Sequence, residues 1–456
     1  MRKMSRIVSL VLSIMLLATL CGNAIAEEKT IVTIWQRASG PSGAMQAWIE
    51  NFNASQDEIE VVYEPYGENY NNILNMALNN ESGPDIFEIS SSGAPVCDFA
   101  KAGHAAALDD LLTEEYKADF VADTFTMKSF QYEGKIYGVP TRLQHYKLLY
   151  NKDLFEQNGL TPPTTLEEMR ECARIITENG NGEVYGFGLY GNYGACWFRH
   201  VDMINIARGV SGAYGFDYAT GKFDFSTQEK VLNFWVDMAN DGSLLPGGMS
   251  MGVEQMRAYF AAGMVGMIID GGWMSKIFAT SIECEANWDA VEIPIFEGET
   301  RAKDYLYCDT LFAVNAHSEH LEAAKVVYKS YLDSQYETRA FGDSDTKTYI
   351  PANTDECLAT LPNDQFKFQG LPETNNIANN ACFKVEPHRH ISLEGDSRDA
   401  VLNKLFTDAM DGVSNDWAAA FADLDVRYNA AVDKALENGD LVLEDIKIDG
   451  FDYFTR

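Results

Sequence analysis

Positive charge is scarce in this 456-residue chain. Lys and Arg number 35 against 68 Asp and Glu, a formal net charge of −33. Nucleic acids and anionic membrane surfaces are bound by neutralising phosphates with cations, so both would repel this chain. Nucleic acid is therefore not an expected partner. Closely spaced cysteines are missing too. No C-x-x-C occurs, and the cysteines after residue 26 (Cys97, Cys172, Cys196, Cys284, Cys308, Cys357 and Cys382) are odd in number and far apart. That excludes a dense disulfide scaffold and a zinc ribbon. A bridge between two of them stays open in an exported chain; Cys172 falls in an apolar helical pattern and reads as a small core residue. The chain also has no P-loop, no G-x-S-x-G and no H-E-x-x-H.

What it does have is apolar residues. At 46% hydrophobic, 12% aromatic and 23% charged, the composition fills packed cores and excludes a disordered or fibrous chain. The length leaves room for two lobes. The first 26 residues read as an export signal: Arg2, Lys3 and Arg6, an apolar run from Ile7 to Leu20, then Ala24-Ile25-Ala26 before Glu27. That run is too short for a comfortable membrane span, and no later stretch reaches 18 uninterrupted apolar residues. Cleavage after Ala26 is expected, with lipid attachment at Cys21, behind Ala18-Thr19-Leu20, as the alternative. Either outcome places the protein in the periplasm or outside the cell. Loss of the signal's cations leaves 32 against 68 acids, or −36.

Strands then alternate with helices. Thr30–Trp35 is a β-branched strand, followed by a Gly/Ser/Pro turn and a helix bearing Met45, Trp48, Ile49 and Phe52. A second strand at 58–63, a helix at 70–78, a break at Gly83-Pro84 and a third strand at 85–89 complete a β-α-β-α-β run. This order predicts a parallel sheet with helices on both faces. Short strands follow at 134–140 and 148–150. Helices are expected at 166–176, after Phe225-Ser226-Thr227, and at 256–262. Strands at 263–270 and 310–314, a helix at 322–332 and an almost wholly helical tail over 399–436 end the chain.

Catalytic groupings are few. His317 and His320 fall in a polar strand-to-helix turn. His388 and His390 would share a face if their segment were a strand, yet no metal or proton-transfer site is assigned to them. Glu167-Glu168 and Asp109-Asp110 sit at helix starts, where capping and the helix dipole explain acids better than a glycosidase pair does. No catalytic residue, metal or cofactor is expected.

Five segments occur in a telling order: Thr33-Ile34-Trp35 with its following helix, Ser82-Gly83-Pro84-Asp85-Ile86-Phe87, Gly134-Lys135-Ile136-Tyr137-Gly138-Val139-Pro140, Leu149-Tyr150-Asn151-Lys152-Asp153-Leu154-Phe155 and Ile269-Asp270-Gly271-Gly272-Trp273. Together they resemble the extracellular solute-binding proteins of ABC importers, the family of the maltodextrin-binding protein. The resemblance runs from about Thr30 to about Leu436. It implies an α/β, periplasmic-binding-protein type II fold: two lobes, a mostly parallel sheet in each, and a hinge of crossing segments. Lobe one would comprise 27–141 plus 312–362, and lobe two 145–306 plus 363–456, with crossings near 141–145, 306–312 and Asn363. It also implies a monomer without catalysis whose lobes close on a carbohydrate, an oligosaccharide for preference, and which docks on a membrane permease.

Open α/β sheets bind ligands beyond the carboxyl ends of their strands. Candidate contacts are therefore Trp35, Gln36, Arg37 and Ser39 after the first strand, and Ser91 and Ser92 after the third. The resemblance adds Gln144. Ser92 and Gln144 stand where the maltodextrin-binding member carries acids, which implies a different saccharide. Trp273 is the foremost candidate, because a flat indole matches the apolar face of a sugar ring, and Gly271-Gly272 permit a tight turn. Tyr190 and Trp197 are further stacking candidates. Asp270 would touch ligand or cap the turn, and Arg389 could reach in from the tail. Trp48 and Trp235 lie on helical stripes and read as core; Asp85 reads as structural. The rival readings are the same fold binding a polyamine, another cation or a polyol, an exported glycoside-processing enzyme, and a scaffold that undergoes no closure.

Overall fold

The computed structural model describes residues 29–37, 43–67, 69–89, 96–118, 130–139, 142–192, 196–271, 274, 277–278, 282–302, 306–309, 312–341, 386–413 and 417–454. For 43–44, 142–145, 306–309 and 335–341 this covers the backbone alone.

Two separate sheets organise the chain. The first has the order β13-β3-β1-β2, with β1 at Thr30–Arg37, β2 at Ile59–Tyr66, β3 at Ile86–Glu88 and β13 at Phe312–Val314. Strand β1 runs parallel to β2 and β3. Parallel neighbours need a crossover, and helices α1 (Gly43–Ser55) and α2 (Tyr70–Asn79) supply the two required. Strand β13 joins antiparallel to β3 from far along the sequence. Alternate residues of a strand face opposite sides, so Val32, Ile34, Phe312 and Val314 enter one core with Trp48, Leu108 and Tyr328. Phe87 and Ala313 enter another with Tyr70, Leu74 and Val96 of α3 (Val96–Lys101).

The second sheet is built around the ten-residue strand β6 (Arg142–Asn151). Its order is β11-β6-β10-β7, with β12 also paired to β6. These partners are β7 (Tyr185–Phe187), β10 (Val265–Gly271), β11 (Trp288–Val291) and β12 (Leu306–Asp309). Here the expectation of a mostly parallel sheet needs correcting. Strand β6 is antiparallel to β10, β11 and β12, and β7–β10 is the parallel pair. The reason lies in the connections: β6 follows a hairpin of the first unit (β4, Gln131–Tyr132; β5, Lys135–Ile136) with no helix between, so it enters the sheet from the opposite end. A second hairpin, β8 (Phe216–Asp217) with β9 (Lys222–Phe223), lies off the sheet.

Helix α4 (Leu166–Asn179) begins with a capping box in which Thr165 and Glu168 exchange side-chain-to-backbone bonds. Asp109 likewise accepts from the Ile136 amide at 3.1 Å. Glu168 is thus a cap at a helix start, whereas Asp109 and Asp110 lie in a turn and Asp109 anchors β5 instead. Helix α5 (Glu229–Asn240) is preceded by a 3₁₀ turn, and the cap of that turn is Asp224 rather than the expected Phe225-Ser226-Thr227. Helix α6 (Val253–Ala261) leads into β10, and α7 (Leu321–Phe341) covers the first sheet. The tail forms α8 (Arg398–Met410) and α9 (Trp417–Asn438). Their Leu402, Phe406, Phe421 and Tyr428 join the large core beneath β6 and β10, with Trp197, Trp235 and Cys172.

The chain passes between the sheets twice within the described residues. Val139 still packs in the first core, and β6 opens the second sheet three residues on; β12 belongs to the second sheet and β13 to the first. The crossing expected near Asn363 lies outside the described residues.

Candidate functional site

On the first sheet, the carboxyl ends of β1, β2 and β3 carry a group of half-buried rings. Trp35 packs on Tyr66 with centroids 4.5 Å apart at 45°. Parallel register sets Trp35 beside Glu64 and Arg37 beside Tyr66. The Tyr63 hydroxyl donates to Gln36 Oε1 at 2.8 Å, and buried Tyr70 donates to the Glu88 carbonyl at 2.8 Å. The Arg37 amide donates to Glu88 Oε2 at 2.8 Å. Burial, followed by the Glu88 charge, pushes the Tyr63 hydroxyl up to about 12, so it stays a donor at neutral pH. At the end of β1, Trp35 and Arg37 therefore share one face of the sheet, and Gln36 lies on the other with Tyr63. Asp85 accepts from Thr33 N at 2.7 Å and from Ser318 Oγ at 2.5 Å, and holds the strand start.

On the second sheet, the carboxyl end of β10 rests on a buried ion cluster. Asp270 is 1% exposed and accepts from Arg257 Nε at 2.8 Å and from the Gly271 amide at 2.8 Å, with Arg199 Nη1 at 3.2 Å. Burial disfavours its charge, but Arg199 and Arg257 outweigh that and hold its pKa below the usual carboxylate range. Asp270 thus braces the turn from beneath. Tyr190 is also buried and accepts from Arg199 Nη1 at 2.5 Å. Trp197 is buried against Phe406 and donates to Asn403 Oδ1 at 2.7 Å. A ring without an accessible face offers no stacking platform, so both belong to the core here, a correction to the expected stacking role.

The half-buried rings of this lobe are others. Tyr146, opposite Gly271 in the register, meets Phe198 edge-on at 5.7 Å, and Phe198 lies 6.2 Å from Tyr214. His388 stacks on Tyr214 at 3.8 Å and 14°. Arg398 places its guanidinium carbon 3.8 Å from the same centroid. Two groups that close cannot share one face, so Tyr214 is clasped between them. Arg398 is fully buried and bonded to Asp202 at 2.6 and 2.8 Å and to Asp399 at 2.7 Å. Burial works against its charge, yet these carboxylates outweigh it and raise its pKa. The Tyr214 amide donates to Asp202 Oδ2 at 3.0 Å, which fixes Tyr214 in the left-handed region at φ 59°.

Segment 387–389 is a 3₁₀ turn rather than a strand, so His388 and His390 do not share a face. His388 goes to Tyr214, whereas His390 lies 3.8 Å from Asp98 on α3 of the first unit. Arg389 pairs with Glu386. Ser39, Ser91, Ser92, Gly272 and Trp273 lie outside the described residues, and for Gln144 the backbone alone is described. Sequence reasoning missed Tyr63, Tyr66, Tyr146, Phe198 and Tyr214, and weighed His388 for metal or proton transfer alone. A partial signal for the first two was Tyr63-Glu64-Pro65-Tyr66 at the end of the second expected strand. Among the described residues, no group of three or more His, Cys, Asp or Glu is placed to hold a metal ion.

Two α/β units joined by paired crossing strands, with aromatic and polar faces at their strand ends, define a two-lobed solute-binding protein. Comparison with known proteins narrows this. The family model described as bacterial extracellular solute-binding protein matches residues 38–336, and the chain belongs to that family. A putative binding protein of Brucella abortus is 28% identical over 341 residues, spanning 67% of this chain and 77% of that protein. The mannitol-binding protein of Pseudomonas aeruginosa is 27% identical over 69% of this chain and 72% of its own. Among solved structures, the GacH receptor of Streptomyces glaucescens, determined unliganded and with acarbose, superposes at TM-score 0.67. It shares 19% identity over 90% of this chain and 100% of that one. The family is one of binding proteins that work outside the cytoplasm. Among the described residues no helix is long and apolar enough to cross a membrane.

Proposed function

We propose that the protein captures a carbohydrate or related polyol between its lobes and, once closed, delivers it to the membrane permease of an ABC importer. The observation that carries this reading is the pairing of Trp35 and Tyr66 on one lobe with Tyr146, Phe198, Tyr214 and His388 on the other. The first group lies at the carboxyl ends of β1 and β2, and Tyr146 of the second stands opposite Gly271 at the carboxyl end of β10, with the other rings in line behind it. Flat rings match the apolar faces of sugars, and the neighbouring hydroxyl, amide and carboxylate groups match their hydroxyls. Contacts to both lobes favour the closed form by the difference in affinity between the two states. Family membership and the mannitol- and acarbose-binding relatives support the same reading.

In this reading lobe one is 27–141 plus 312–362 and lobe two 145–306 plus 363–456. Ser39, Ser91, Ser92, Gln144, Gly272 and Trp273 complete the contact set with Trp35, Gln36 and Arg37. The protein acts as a monomer without catalysis. Its mature form begins after Ala26 or carries lipid on Cys21, which intact mass would distinguish.

The test is a thermal-shift screen of residues 27–456 with D-mannitol, maltotriose, acarbose and spermidine. Binding to the folded state alone stabilises by about 2.7 kcal/mol at a hundredfold excess over Kd. A raised midpoint with at least one hydroxylated compound is expected. A shift with spermidine alone would overturn the ligand class, and no shift with any of the four would overturn the reading.

A further inference from the structure

We infer that His388 is a ligand-contacting residue of the second lobe, offering its imidazole nitrogens to a hydroxyl of a neutral ligand. The inference rests on the carbohydrate reading above and names a specificity residue within it. The first support is position. His388 stacks on Tyr214 of the second lobe, and two residues later His390 lies 3.8 Å from Asp98 of the first. Nearby, Lys101 of the same helix α3 reaches Asp440 at 3.2 Å and the Gly439 carbonyl at 3.3 Å. The 387–390 turn therefore sits where the lobes meet. Tyr146 and Phe198 continue the line of rings from Tyr214 back to the end of β10.

The second support is what the imidazole leaves free. One ring face is spent on Tyr214, but the described residues give its nitrogens no hydrogen-bond partner, and the side chain is half-buried rather than sealed. A buried, unsatisfied polar group would be costly; one that opens toward a ligand site is not. The third support is preorganisation. Arg398 on the far face of Tyr214, and Asp202 on its amide, hold a non-glycine residue at φ 59°. Such a conformation is strained and persists where the surroundings enforce it, commonly at ligand sites. Burial, with Arg389 and Arg398 close by and against the pull of Glu386, keeps the imidazole well below its ordinary pKa. A neutral ring has one donor and one acceptor, which suits a hydroxyl and does not select for an anion.

Calorimetric titration of residues 27–456 with D-mannitol, maltotriose and acarbose, each separately, tests this in the wild type and in His388→Phe, His388→Gln and His388→Ala. Phenylalanine keeps the stack on Tyr214 and removes both nitrogens; glutamine keeps a donor and an acceptor. For whichever compounds the wild type binds, His388→Phe and His388→Ala are expected to weaken binding about fivefold or more, and His388→Gln less. The ¹⁵N resonances of His388 should shift on saturation, a response that a purely structural ring would not give. If His388→Phe binds as the wild type does, and those resonances stay put, the inference is overturned while the carbohydrate reading stands. If the wild type binds none of the three compounds, the carbohydrate reading itself fails and this inference falls with it.

Discussion

Arg398 lies fully buried with its guanidinium carbon 3.8 Å from the Tyr214 ring centroid, although 184 residues of chain separate the two. The contact joins the start of tail helix α8 to a strained turn in the middle of the second lobe. Replacing Arg398 by Met would strip Asp202 of its two guanidinium bonds and leave a carboxylate in the core. Breaking a buried pair from one side costs about 3–5 kcal/mol. Urea unfolding at pH 7 should show that loss. The double variant Arg398→Met with Asp202→Asn should recover a large part of it, because the uncompensated charge is gone.

A second expectation concerns pH. His200 is fully buried, shares Nδ1 with the Cys196 carbonyl at 2.8 Å, and is pushed down to about 3, chiefly by burial. Its folded pKa lies below the unfolded value of about 6.5, so the unfolded chain binds the proton first on acidification. Its contribution to stability is complete above pH 6.5 and is lost as pH falls from there toward 3, at about 1.4 kcal/mol per unit. His200→Asn removes this titration. Plotted against pH between 4 and 7, the unfolding free energy of the variant should fall less steeply than that of the wild type. Equal slopes would show that His200 does not govern acid sensitivity.

The strand and helix order of the first lobe was legible because β-branched runs, glycine–proline breaks and helical stripes are local signals. Val32 and Ile34, and the stripe of Trp48 and Ile49, are such signals and do form that core. The antiparallel β6 was not readable, since its direction depends on where the chain enters the sheet, not on its own residues. Nor can residue type say which aromatic rings keep an open face. Trp35 and Trp197 are equally apolar, yet one is half-buried at a strand end and the other is sealed by Phe406 from the tail. The clasp on Tyr214 needs Asp202, His388 and Arg398 to meet, and no local pattern announces such distant partners.

That contrast between tryptophans gives a third test. Trp35→Ala should weaken binding of the saccharide found in the thermal screen about tenfold, with a stability cost of about 1 kcal/mol, since its ring is already part-solvated. Trp197→Ala should do the reverse. Emptying a fully buried indole site costs about 3–5 kcal/mol, whereas affinity measured on the folded fraction should change less than threefold. Calorimetry and urea unfolding on both variants decide the matter. Equal affinity losses would mean that Trp197 reaches the ligand after all.

The contacts between lobes give the last. His390–Asp98 and Lys101–Asp440 link α3 of the first lobe to two separate parts of the tail. The Lys101 and Asp440 side chains are each about half-exposed, and pairs of that kind contribute about 0–1 kcal/mol. Such a pair is too weak to lock the lobes together, but a two-state equilibrium poised within a few kcal/mol responds to it. The double variant Asp98→Asn with Lys101→Ala should therefore leave the unfolding midpoint within about 2 °C of the wild type. It should expand the ligand-free chain by small-angle scattering and weaken saccharide binding about two- to fivefold, and raising the salt concentration should narrow both differences. An unchanged radius of gyration together with unchanged affinity would show that these pairs decorate the lobe junction without biasing its opening.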